Sequence, residues 1–148
     1  MINEAVISIC AIGFAIALAA HDEPCVTYME NNVKAEDWQM DRFHRYNVWA
    51  KFFACLGLSF IGVNVQITWH CFFTVFTNGV LAALWIWLVF DPALSIIRPG
   101  RNWDYIGQND DDGKRWLKWF GKNAGEYKAI ILLLLIITTI ILKQIFQL

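Results

Sequence analysis

The chain has 148 residues, 57% of them hydrophobic and 17% charged, with a formal net charge of -1. Such a composition fits one domain that is too apolar for a typical soluble protein, and the near-zero charge gives nucleic acid no footing. The four cysteines show no CxxC spacing, so Cys10, Cys55 and Cys71 within apolar segments and Cys25 in a connector read as small packing residues, not a redox or metal motif.

In chain order, residues 4–21 form a first apolar segment. Its end at Ala17-Leu18-Ala19 has the look of a signal-peptidase site, but Glu4 precedes the run and no Lys or Arg does, so a retained span is expected. Ala11, Ala15 and Ala19 recur every four residues and offer a small-residue face for close helix packing. His21-Asp22-Glu23-Pro24 should end this helix at the water boundary, because proline lacks the amide donor that a helix interior needs. A polar connector up to Glu36 follows. Asp37 is a candidate N-cap of the second helix, where Asp41 can pair with His44 and Arg45.

Residues 52–90 contain no Lys, Arg, Asp or Glu. As one helix they would reach ~58 Å, about twice the hydrocarbon thickness of a bilayer. They must fold back, and the polar interruption at Asn64, Gln66 and Thr68 predicts a tight turn there. The second span is therefore expected over 46–64 and the third over 67–90. Lys51 lies one turn inside the second span and can snorkel outward. Thr74, Thr77 and Asn78 near the middle of the third should bond across to a neighbouring helix, since an unpaired amide in hydrocarbon is costly.

Asp91-Pro92 has the chemistry of an N-cap followed by a first helical position, which predicts a short helix or a kinked continuation up to Arg98, before Pro99-Gly100 stops it. Asp110, Asp111 and Asp112 suit the positive N-terminus of a following helix. They do not form an EF-hand, because the first and twelfth ligand positions counted from Gly113 are Gln108 and Trp119. At about 100° per residue, Trp116, Leu117, Trp119, Phe120, Ala124 and Tyr127 share one arc of about 160°, opposite Lys114, Arg115, Lys118, Lys122 and Glu126. An interfacial amphipathic helix over 113–126 is expected, and then a fourth span over 127–146, nearly pure Ile and Leu.

The predicted fold class is an all-α integral membrane protein: one membrane domain, 1–148, of four transmembrane helices plus the amphipathic interfacial helix. Eleven of the twelve Lys and Arg residues fall on the side of the two long connectors, and only Lys143 falls on the other. The positive-inside rule then predicts a multi-pass protein of the cell inner membrane with both connectors cytoplasmic and both termini outside.

This topology brings most chemically capable side chains to one level. His21, Asp22, His44 and Asp91 are candidate ligands of a divalent metal, and Arg42, Arg45 and Arg98 are candidate partners of a lipid phosphate. Each also has an ordinary reading, as a helix-end residue, an N-cap, an interfacial aromatic or a topology charge. Asn78 is the candidate interhelical polar contact.

The succession His21-Asp22, His44 to Asn47, Phe90-Asp91, Arg98 and Trp103-Asp104-Tyr105-Ile106-Gly107 resembles the layout of small multi-span membrane proteins of Bacteroidota and their phages. It departs from them in a longer, more acidic first connector and in the residues flanking His44. The resemblance implies a four-helix membrane fold and no particular activity. Three function classes follow: a structural or interaction component of a membrane assembly, a metal-dependent enzyme acting on a lipid or lipid-linked substrate, or a small oligomeric channel or transporter. The expected partners are membrane lipids and either further copies of the chain or a larger membrane complex.

Overall fold

In the computed structural model, residues 2–31, 37–63, 68–97, 103 and 111–146 are described, and their side chains over 3–22, 45–63, 68–97, 103 and 113–146. Every described element is helical. These are α1 (Ile2–Asn31), α2 (Asp37–Ser59), α3 (Trp69–Ile97), α4 (Asp111–Phe120), a single 3-10 turn (Gly121–Asn123) and α5 (Ala124–Ile145). Three segments are long and apolar enough to cross a membrane: Asn3–Asp22, Trp69–Ile97 and Gly113–Ile145.

The bundle is built around α3, against which α1, α2 and α5 all pack. Its most extensive contact is with α1, and the reason lies in side-chain size. Ile7, Ala11, Ala15 and Ala19 of α1 are wholly buried, as are Leu81 and Ala82 of α3, with Ile86 and Phe90 nearly so. A methyl group every four residues lets two backbones approach closely enough for dispersion contacts to hold them, since lipid supplies no hydrophobic drive between helices. On the far side α5 contributes Leu132 and Ile136.

Side-chain pairings fix the directions. Lys51 of α2 and Lys128 of α5 meet α3 at Phe90 and Asp91, while Ser59 of α2 and Lys143 of α5 meet it at Asn78. Both helices therefore run antiparallel to α3. Glu4 of α1 joins the level of Asn78, and Asp22 joins α2 at Asn47, so α1 runs parallel to α3.

Several boundaries differ from the sequence expectation. Helix α1 does not stop at His21–Pro24 but continues to Asn31. Pro24 removes one amide donor, to the Ala20 carbonyl, and Ala20 is exposed, so that carbonyl is not sealed in the bundle. Asp91 is not an N-cap, because α3 carries Pro92 in its interior and runs on to Ile97. Helix α2 ends at Ser59, earlier than expected, and the chain turns over Phe60–Val63, with Val63 N–H donating to Phe60 O at 3.2 Å. Thr68 then caps α3, its Oγ1 accepting from Cys71 N–H at 3.2 Å. The interfacial helix expected over 113–126 is interrupted at Gly121, whose φ of 60° breaks the α-helical path between α4 and α5.

The turn depends on Gly62, which has a φ of 72° and lies directly against the side-chain amide of Asn3. Gly62→Ala should lower stability by about 1–2 kcal/mol from the left-handed backbone alone, with the collision against Asn3 adding to it. Gly57→Ala is the control: a methyl group there meets no atom within 4 Å, and alanine favours the helix by up to about 1 kcal/mol. Unfolding of both variants in detergent tests the contrast.

Candidate functional site

The polar groups of the bundle gather in two layers separated, from Asn78 to Asp91 along α3, by ~20 Å of helix.

The layer on the side of the termini is the more enclosed. Asn78 is 1% exposed and Lys143 2%. The Asn78 amide donates to the carbonyls of Ser59, at 3.0 Å, and Ile61, at 3.2 Å. Those carbonyls lie at the end of α2, where the last turn leaves acceptors without intrahelical partners and the helix dipole is negative. Asn78 thus caps α2 from a neighbouring helix. Its own Oδ1 accepts from Lys143 Nζ, and the same ammonium lies 3.4 Å from Glu4 Oε1. The C-terminal end of α5, the N-terminal end of α1, the middle of α3 and the end of α2 are therefore joined through one lysine and one amide. Opposite charges so placed neutralise each other, which a low-dielectric setting requires.

The second layer lies at the other end. Lys128, 5% exposed, makes a 2.7 Å salt bridge with Asp91, and its ammonium also lies 5.4 Å from the centroid of the Trp87 ring. Asp22, 4% exposed, accepts from Asn47 Nδ2 at 2.5 Å through one oxygen, while its other oxygen lies 3.1 Å from His21 Nδ1. Lys51 places its ammonium 3.5 Å above the centre of the Phe90 ring, a cation–π contact that holds α2 to α3 where snorkelling to the surface was expected. Asn47 Oδ1 and Trp85 Nε1 are buried without a hydrogen-bond partner among the described residues.

Three of the four candidate metal ligands have described side chains. Asp91 is committed to Lys128, and Asp22 to Asn47 and His21, whose own side chain is 81% exposed. The side chain of His44 lies outside the described residues. Among the described residues, no three His, Cys, Asp or Glu side chains come together as donors for an ion. Of the candidate lipid-phosphate residues, Arg45 is exposed, and Arg42 and Arg98 lie outside the described side chains. Thr74 and Thr77 make no hydrogen bond across helices to a described residue. Each donates within α3, to His70 O and Phe73 O at 2.8 Å, so neither acts as interhelical glue.

Sequence reasoning missed the roles of Glu4, Lys143 and Lys128. A readable signal existed, since Glu4 and Lys143 are opposite charges near the outer ends of otherwise apolar segments, at one expected depth.

No protein-family model, curated protein or solved structure matches this chain. The two polar layers themselves therefore carry the functional argument.

Proposed function

We propose that this chain is a small polytopic protein of the cell inner membrane that crosses four times and serves as a structural or interaction component of a membrane assembly. The observation that carries the reading is the commitment of the enclosed ionisable side chains to neighbouring helices: Lys143 to Glu4 and Asn78, Lys128 to Asp91, and Asp22 to Asn47. Groups held this way fix helix order and register. Holding helix order and register in this way is what a structural component of an assembly requires.

Four crossings are supported by direction and length. Because α1 and α3 run parallel, α2 has to return the chain through the same thickness, and its 23 residues reach ~34 Å. The interfacial role falls to α4. The eleven-to-one division of Lys and Arg supports cytoplasmic connectors and external termini. Exposed Trp49, Phe52, Phe53 and Leu56 on α2, with Ile130, Leu134 and Ile137 on α5, form the outer faces available to acyl chains or to helices of an assembly. The resemblance of the residue layout to small multi-span proteins of Bacteroidota and their phages supports this reading.

Proteoliposomes distinguish it from the channel or transporter reading. Vesicles containing the purified chain should hold an imposed proton or potassium gradient as long as empty vesicles do. Rapid dissipation that depends on the amount of protein would overturn the proposal.

A further inference from the structure

The exposed cations of α4 and the adjoining turn contrast with the enclosed ones. Arg115, Lys118 and Lys122 are exposed, and none of them makes an ion pair with a described residue. In helical projection, at about 100° per residue, Lys114, Arg115 and Lys118 occupy one side of α4, and Trp116, Leu117, Trp119 and Phe120 the other. The aromatic side continues into α5. Trp116 stacks on Phe120 with ring centres 5.4 Å apart, and Phe120 stacks on Tyr127 across the 3-10 turn at 5.2 Å. Trp119, 69% exposed, extends the same surface outward.

We propose that α4 and the turn after it form a docking surface for anionic lipid headgroups, with Arg115, Lys118 and Lys122 meeting lipid phosphates while Trp116, Trp119 and Phe120 lie at the boundary with the acyl chains. The proposal rests on the four-span reading, which sets α4 beside the point where α5 enters the bilayer. Two features select lipid as the occupant. The aromatic face runs without interruption from α4 into a helix apolar enough to cross a membrane, and the uncompensated charge has the sign that attracts phosphate. Asp111 and Asp112 do not cancel the site, because they open α4, about two turns before Lys118 and about three before Lys122, where the helix dipole favours acids.

The test is amide hydrogen exchange over residues 113–122 of the full chain in nanodiscs of phosphatidylcholine alone and of phosphatidylcholine with phosphatidylglycerol. Exchange should slow by about tenfold or more in the anionic discs, and high salt should reverse the effect. The triple variant Arg115→Gln, Lys118→Gln, Lys122→Gln should exchange alike in both lipids. Equal and slow exchange of the native chain in both discs would overturn the headgroup proposal while leaving α4 at the interface. Rapid exchange in both would remove the interfacial placement as well. Slowing in anionic discs that persists in the triple variant would overturn the assignment of these residues.

Discussion

Lys143→Met should destabilise the bundle by about 1–3 kcal/mol, because it removes an enclosed ammonium beside the Glu4 carboxylate and leaves Asn78 Oδ1 without its lysine donor. The size follows from enclosure. Lys143 is 2% exposed, and its partner side chain 10%, so water cannot replace the lost ammonium as it would at a surface. Glu4→Gln should be harmful for the converse reason, with an uncompensated ammonium left among apolar helices. The double variant Glu4→Gln, Lys143→Met should be more stable than the sum of the single effects predicts, because the attraction between the two charges is then lost only once. Chemical unfolding of the four proteins in one detergent measures this. Strictly additive losses would show that the two charges do not interact.

Ala15→Leu should be nearly as disruptive, for a steric reason. Ala15 lies at the centre of the α1 face, 0% exposed between Ala11 and Ala19, which are equally enclosed. Three additional carbons have no space between α1 and α3, so the helices must separate and lose their neighbouring contacts. Overpacking of this kind costs about 1–3 kcal/mol or more. Ala17→Leu, on the exposed side of the same helix, should be nearly neutral. Equal effects at the two positions would refute the small-residue packing of α1 on α3.

Parts of this architecture are visible in the residues themselves. The Ala11, Ala15, Ala19 spacing specifies its face directly, because four-residue recurrence has one geometric meaning in a helix. The charge-free run 52–90 requires a reversal, because it is too long for one crossing. The reversal lies between Ser59 and Trp69: Thr68 caps α3 there, Asn64 and Gln66 lie outside the described residues, and the earlier end of α2 was less legible, with Gly62 supplying left-handed backbone and Asn78 capping the free carbonyls. At Asp91-Pro92 local chemistry left a new helix and a continuation of the third both open, and the continuation is what forms. A proline at that point suits a helix start, but Asp91 has a tertiary partner in Lys128, and α3 continues through both residues.

The candidate site was legible to a different degree. The inventory of ionisable residues at the connector end could be assembled from spacing and depth, whereas which side chains face each other depends on helix rotation, which spacing does not encode. Asp22 thus meets Asn47, and Asp91 meets Lys128. The opposite layer was harder to foresee because Glu4 and Lys143 lie at the two ends of the sequence. Only the parallel placement of α1 beside α3 and the antiparallel return of α5 bring them together.

The central claim is that all four long helices cross the membrane and that the polar layers hold them in that order. Its most direct measurement is labelling with a membrane-impermeant maleimide in intact and permeabilised cells, starting from a variant with the four native cysteines replaced. Single cysteines would be introduced by Ile2→Cys, Lys118→Cys and Leu148→Cys. The account predicts labelling of positions 2 and 148 in intact cells, and of position 118 only after permeabilisation. Labelling of positions 2 and 148 from opposite sides would mean an odd number of crossings, and labelling of 118 in intact cells would invert the orientation. Either result would contradict it.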